Sequence, residues 1–292
     1  MPTVSICIPT YNRREYLRKT LDSVMAQTYK DFEVVIVDDG SADGTEEMIK
    51  NTGYNVKYYW QENRGEADTC NKLISLAAGR YISFLHSDDL LFPDAIERMS
   101  KVVKTEPDGV VVYGNYLRID ENGNICGRSK RKLYSGHITQ YLFEDIIVHP
   151  NGSMFPKKVL EEVGGFDTSL RVCYDYKLEL QISLKYRFIA LEKPTFMRRR
   201  HSSNTSRGSF ANHKAELDML MDFYYNGGGK EVIPERVAMK RLSKKSYRAG
   251  RYAMKERLYK QAYELFGQSF RRHPNPKALI YLLKKFINRQ LS

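Results

Sequence analysis

No apolar run in this 292-residue chain is long enough to span a bilayer, so a protein built on transmembrane helices is not expected. Cysteine is scarce. The four, Cys7, Cys70, Cys126 and Cys173, lie far apart and form no metal-ligand spacing. That excludes a zinc ribbon or a disulfide framework and predicts a reduced, cytosolic compartment. The chain opens directly on a strand pattern, with no signal peptide expected ahead of it. Two nucleotide-binding signatures are also missing. No G-x-G-x-x-G follows the first predicted strand, and no G-x-x-x-x-G-K-[ST] occurs anywhere. A dinucleotide dehydrogenase and a P-loop NTPase are therefore not expected.

Acidic residues run short in one region only. From Lys230 to Ser292, 17 Lys and Arg face 4 Asp and Glu, whereas the preceding residues hold 30 against 31. The whole basic excess sits in the tail. It marks a domain boundary and points to an anionic partner there: membrane lipid, nucleic acid or an acidic protein.

The first hundred residues alternate strand and helix patterns. Strands are predicted over Val4–Pro9, Phe32–Val37, Val56–Trp60 and Ile82–Leu85, with helical periodicity between them. This order implies right-handed βαβ units and an α/β fold around a mostly parallel sheet with flanking helices. Two strands end in paired carboxylates, Asp38-Asp39 and Asp88-Asp89, and His86 precedes the second pair. Both pairs fall on the carboxyl edge of the sheet, where open α/β sheets bind ligands. Adjacent carboxylates repel, and a divalent cation with oxygen ligands would neutralise them while holding a phosphate-bearing substrate. A single Asp-Asp turn can equally well cap the next helix. Two such turns on one rim favour a site.

From Gly109 the pattern becomes α+β. Val110–Tyr113 and Asn115–Asp120 read as two strands, Glu121–Asn124 as a turn, Lys130-Arg-Lys132 as an exposed loop and Ile138–Ile147 as a helix. His149–Phe155 approaches a strand, and Gly164-Gly165 stops a short helix from Pro156. Tyr174-Asp175-Tyr176 opens an amphipathic helix, and a last strand after Pro194 runs into Arg198-Arg-Arg-His201. The expected division is 1–105 and 106–211 as two halves of one domain, and 212–292 as a basic helical appendage. In that tail Gly250, Ala262, Phe266 and Pro274 fall at the offsets of one tetratricopeptide-like hairpin. A final helix, Lys277–Arg289, sets Leu279, Leu282, Leu283 and Phe286 on one face beside Lys284, Lys285 and Arg289. This suits an anionic membrane surface, or a core-packing helix with a solvated basic side.

Pro9-Thr-Tyr-Asn12, Val37-Asp-Asp-Gly-Ser41, Asn63-Arg-Gly65, Asn71, Ala78-Gly-Arg-Tyr-Ile82, Ser87-Asp-Asp89, Gly164-Gly-Phe-Asp167 and Arg199-Arg-His201 occur in order. Over roughly residues 2–205 this set resembles family 2 glycosyltransferases, which have the GT-A fold. The resemblance implies an inverting transferase that uses a nucleotide-diphospho-sugar, most often UDP-linked, with Mn2+ or Mg2+, and it makes 1–105 the nucleotide-sugar-binding half and 106–211 the acceptor-binding half. It implies that Pro9, Thr10 and Tyr11 border the base, Asp39 accepts from the uracil ring, Arg64 lies near the nucleotide and Asp88 holds the ribose. It further implies Asp89 and His201 at the metal and Asp175 as catalytic base. His86 departs from the family's usual acidic residue, and Thr69-Cys70-Asn71 lacks an arginine often found before the asparagine.

The residues leave alternatives open. Asp175 suits an N-cap, His201 a solvated loop, and Arg198–Arg200 either a phosphate grip or a solvated strand end. His149 and Asn151 suit the acceptor side or merely a turn. A cytosolic enzyme at the inner face of a membrane, acting on a glycan or lipid-linked acceptor for polysaccharide synthesis, would use both the rim and the tail. Two competing functions are a nucleotidyltransferase, whose Gly-rich loop is missing, and a catalytically degenerate scaffold acting through its tail. The intact aspartates weigh against the scaffold, and nucleic acid is not the expected partner.

Overall fold

A computed structural model describes residues 2–106, 109–201 and 208–290, with side chains described as far as residue 283. The chain divides into two compact units, Met1–Ile138 with Ile146–Asn204, and Thr139–Asp145 with Thr205–Ser292.

The first unit holds two sheets. In the first sheet β1 (Val4–Thr10) lies between β2 (Phe32–Asp38) and β4 (Tyr81–Phe84), and β3 (Lys57–Trp60) lies outside β2. All these pairings are parallel. Every residue of β1 is buried, as expected for a central parallel strand covered on both faces, and this is why its sequence is almost wholly apolar. The crossovers are α1 (Arg14–Met25), α2 (Thr45–Thr52) and α3 (Glu66–Leu76). α1 buries Leu17, Thr20, Leu21 and Val24, a one-face stripe at helical spacing. Among the described residues the one antiparallel partner in this sheet is β8 (Phe155–Pro156), paired to β4.

The second sheet, in the order β5-β9-β6-β7, is mixed. It comprises β5 (Leu90–Leu91), β6 (Val111–Ile119), β7 (Ile125–Arg128) and β9 (Phe188–Arg199), with α4 (Ala95–Thr105) between β5 and β6. β6 and β9 run parallel; β5 on β9 and β7 on β6 run antiparallel. Two strand expectations are corrected here. Residues 111–119 form one strand, not two, and the last strand begins at Phe188, not after Pro194. The cause is a register shift between Gly114 and Tyr116, opposite Leu191 and Phe196. Pro194 lacks a ladder N–H and is accommodated at that irregularity, so a strand continues through a residue that usually ends one. α6 (Lys157–Glu162) and α7 (Tyr174–Lys185) complete the unit.

The second unit is helical: α5 (Thr139–Glu144), shorter than the helix expected over Ile138–Ile147, then α8 (Phe210–Tyr225), α9 (Gly229–Val232), α10 (Glu235–Lys255), α11 (Tyr259–Arg272) and α12 (Pro276–Gln290). α10 and α11 pack as a hairpin around Ala253, Ala262 and Phe266. A Cβ on Gly250 would stand 2.8 Å from the Phe266 ring, so glycine sets the approach of the two helices. Lys245 on α10 is buried in an ion pair with Glu216 on α8. The side chains of Lys284, Lys285, Phe286 and Arg289, four of the seven residues expected to form the amphipathic helix's apolar face and its basic flank, lie outside the described residues. Leu279 and Leu283 are exposed, whereas Leu282 packs against the hairpin core.

Candidate active site

The first sheet ends in register. Thr10 pairs with Asp38 at the carboxyl edge, and the Thr10 carbonyl accepts the Asp39 N–H at 2.9 Å. Asp38 accepts from Ser41 N at 2.8 Å and from the Tyr58 hydroxyl at 2.7 Å. Asp39 is buried and accepts from Gln61 Nε2 at 2.8 Å, Arg64 N at 2.9 Å and Gly65 N at 2.9 Å. Its carboxylate thus fixes the loop 61–65 against the rim. Arg64 contributes its main chain to this clamp, and its side chain is exposed. Pro9 is buried, Tyr11 is half-exposed, and the Thr10 hydroxyl is buried without a hydrogen-bond partner among the described residues.

The end of β4 supplies the second cluster. His86, Asp88 and Asp89 each bring a ligand atom within 4.8 Å of the others. Asp89 is buried; its Oδ2 accepts from Asn151 Nδ2 at 2.6 Å and its Oδ1 from Arg199 N at 2.9 Å. Burial and the neighbouring Asp88 carboxylate push the Asp89 carboxyl up to about 7. Asp88 is held below the usual carboxylate range: burial works against this, but His86, Arg13 and His201 outweigh it. Arg13 Nη1 lies 2.6 Å from Asp88 Oδ2, and His201 Nε2 lies 2.9 Å from the same oxygen. His201 therefore faces Asp88 and stands outside the His86 trio; its ring stacks on Tyr16 at 4.9 Å. The His86 imidazole is 3.1 Å from Glu66 Oε1. Burial would lower its pKa, but Glu66, Asp88, Asp89 and Asp175 together raise it.

Asp175 sits in the first turn of α7, and Cys173 rather than Asp175 stands at the N-cap position. Its Oδ1 accepts the Tyr176 N–H at 2.8 Å. Burial raises its pKa, opposed by that N–H and by His86. Tyr174 hydrogen-bonds Glu66, which links the start of α7 to the His86 side. Asp175 and the Asp88-Asp89 turn, far apart in sequence, are thus gathered around one imidazole.

Asn151 spends its side chain on this turn: Oδ1 accepts from His86 N at 3.0 Å while Nδ2 donates to Asp89. The next residue, Gly152, has φ +62°, and a Cβ there would lie 2.8 Å from Phe196, so the turn presenting Asn151 requires glycine. His149 instead meets Arg131 Nη1 at 2.6 Å. Two residues of the site were not expected from sequence: Arg13 and Glu66. Arg13 directly follows Pro9-Thr-Tyr-Asn12 at the end of a rim strand, which was the available signal. Arg199 is neither a phosphate grip nor solvated. It is buried, donating from Nε to Asp88 O at 3.0 Å and from Nη1 to Asp120 O at 3.1 Å and Glu121 O at 3.0 Å.

The donor set fits a divalent cation. Two carboxylates and an imidazole converge, and one carboxyl carries a cost that a cation would relieve. The family model "Glycosyl transferase family 2" matches residues 5–164. A Rickettsia typhi protein described as an uncharacterized glycosyltransferase is 35% identical over 185 residues, covering 61% of this chain and 57% of that protein. Chondroitin synthase of Escherichia coli is 32% identical over 216 residues, covering 70% of this chain and 30% of that protein. The chain thus spans about a third to just over half of the length of these curated relatives. Among solved structures, Staphylococcus aureus TarS 1–349 in complex with UDP-GlcNAc superposes with TM-score 0.68 at 17% identity, covering 92% of this chain and 81% of that one. Mannosyltransferase PcManGT from Pyrobaculum calidifontis, in complex with GDP-Man and Mn2+, gives 0.58 at 19% identity, covering 98% and 80%.

Proposed function

The chain belongs to glycosyl transferase family 2 and has its GT-A fold, and from that premise we propose that it moves a sugar from a nucleotide-diphospho-sugar, UDP-linked by preference, to an acceptor hydroxyl with inversion. The observation that carries this reading is the gathering of His86, Asp88 and Asp89 at the carboxyl edge of a parallel sheet, with Asp175 of α7 acting electrostatically on the same imidazole.

Asp89, Asp88 and His86 would hold Mn2+ or Mg2+, which when bound offsets the negative charge growing on the departing diphosphate. Pro9, Thr10 and Tyr11 border the base. Asp39 shapes the base pocket through the loop 61–65, and the unsatisfied Thr10 hydroxyl offers a polar contact to the nucleotide. Arg64 extends from that loop toward the nucleotide. Asp88 receives the ribose, steadied by Arg13 and His201; both side chains lie on the diphosphate side. Asp175 takes the proton from the acceptor hydroxyl while that oxygen bonds to the anomeric carbon and the bond to the diphosphate breaks. Attack comes from the face opposite the leaving group, so one displacement inverts the centre and no enzyme nucleophile is needed. A raised pKa makes Asp175 a stronger base than a solvated aspartate, at the cost of protonation as pH falls. His149 lies on the acceptor side, and Asn151 positions Asp89.

Among the described residues no helix is long and apolar enough to cross a membrane. The exposed Leu279, Ile280 and Leu283 of α12, in a strongly basic region, support peripheral contact with an anionic membrane and synthesis of a polymer or lipid-linked glycan at its inner face. Failure to float with anionic liposomes at low salt would remove that part.

The donor site is tested by a thermal-shift panel of UDP, GDP, CDP and dTDP, each with and without Mn2+. One nucleotide should raise the melting temperature, and more so with metal. Asp175→Asn should then lower kcat by about 10²–10⁴-fold while leaving that shift in place. Normal turnover in this variant would remove Asp175 as the base.

A further inference from the structure

The second sheet carries positive charge that the donor chemistry leaves unused. Register sets Arg118 of β6 beside Arg198 of β9, two residues on from the pair Tyr116 and Phe196. Strand alternation puts all four on one face. The Arg198 guanidinium lies 5.9 Å from the centre of the Tyr116 ring, and Tyr116 meets His149 edge-on at 5.2 Å. Arg131, on the loop after β7, places Nη1 2.6 Å from His149 Nε2. Among the described residues Arg118, Arg128 and Arg198 form no ion pair with a carboxylate; Arg118 donates only to the Arg128 carbonyl, at 3.1 Å. Burial, Arg131 and Arg198 hold the His149 imidazole well below its usual range, so it stays neutral and accepts from Arg131. The patch adjoins the reaction centre. Arg198 acts electrostatically on Asp89, His86 on His149, and Arg131 on Glu179, one turn beyond Asp175.

Gathered guanidiniums repel by about 1 kcal/mol per pair at 4 Å in water, and by more where water is excluded. An anion seated among them removes that cost, and the arginine fork matches the oxygens of carboxylate and phosphate. A neutral sugar chain would leave the repulsion in place. We propose that this face of the second sheet is the acceptor subsite and that the acceptor is an anionic glycan, bearing carboxylate or phosphate groups, gripped by Arg131, Arg198 and Arg118. The proposal rests on the transferase reading above.

The test titrates the full chain, with UDP and Mn2+ present, against three oligomers of matched length: oligogalacturonate, glycerol-phosphate oligomer and neutral malto-oligosaccharide. At least one anionic oligomer should bind about tenfold or more tightly than the neutral one, and binding should weaken as salt rises. Preference between the two anionic probes tells carboxylate from phosphate. Arg131→Gln should weaken that binding about tenfold with the UDP-induced thermal shift intact, which also reports that the variant is folded. Arg198→Gln should weaken it as well, and Arg131→Lys should lose less than Arg131→Gln. Equal affinity for the neutral oligomer overturns the proposal. So does anionic binding unchanged in both glutamine variants, which would assign the anion to other basic groups such as the tail. Arginine-dependent anion binding in a protein that takes up no nucleotide would sink the transferase reading and the acceptor role with it, leaving an anion receptor.

Discussion

Each unit buries a charge, and they resolve it differently. In the helical unit Lys245 is buried against Glu216, an opposite charge on a neighbouring helix. In the α/β unit Asp89 is buried against Asp88, a like charge on the adjacent residue. The first arrangement is complete in itself: burial lowers the lysine pKa, and the glutamate supports its charged form. The second is incomplete, because hydrogen bonds from Asn151 and Arg199 satisfy the oxygens of Asp89 without cancelling the repulsion. Buried charge alone is thus a poor marker of function. A buried charge whose neighbour makes matters worse points to something that arrives later, here a cation.

The largest effect that would break this contrast is on stability. Glu216→Gln strands the Lys245 ammonium in the helical core and should cost about 3 kcal/mol, read as a lower urea midpoint. Lys245→Met added to it should recover most of the loss. Asp89→Asn, in metal-free protein at pH 8, should cost less than half as much, since it removes a charge the fold already disfavours. If Asp89→Asn proved the costlier change, the rim would be held together by its carboxylates and the comparison would fail.

Next in size is a pH effect. The Asp89 pKa is raised to about 7, so the folded, metal-free protein binds a proton there that the unfolded chain has lost. This contribution to stability is full below the unfolded value near 3.8 and is lost as pH rises through about 7. Metal binding runs the other way. A cation must displace that proton, so Mn2+ affinity should fall about tenfold per pH unit below 7 and level off above it. Water-proton relaxation of Mn2+ between pH 5 and 8.5 would measure it. A flat profile would mean the cation does not use Asp89.

Much of this was legible in the sequence. The parallel strands announced themselves by continuous apolar runs, and Asp38-Asp39 and Asp88-Asp89 by the abruptness with which those runs ended. Asp39 and Asp89 were identifiable because strand ends share an edge, and Asp175, at a helix start, through the family resemblance alone. Partners contributed by loops and distant elements were not. Nothing local distinguishes Arg199 from its exposed neighbour Arg200, yet strand alternation turns Arg199 inward onto the carbonyl of Asp88. Nor does the sequence of Glu66 indicate that it meets His86 and Tyr174. The strand through Pro194 was missed for a related reason: the irregularity that accommodates it belongs to the pairing with β6, not to the residues around the proline.

The smallest effect sharpens the comparison within the rim itself. Arg64 was expected beside the nucleotide, and the fold uses its N–H, which holds Asp39. Arg64→Ala keeps that bond, so stability should move by no more than about 0.5 kcal/mol. The exposed guanidinium is then tested alone. A phosphate contact made only with bound donor should show as a loss of UDP affinity of about tenfold or less, and calorimetry on wild type and variant decides it. An unchanged affinity would confine Arg64 to its main-chain role and leave Arg13, already on Asp88, as the guanidinium facing the diphosphate.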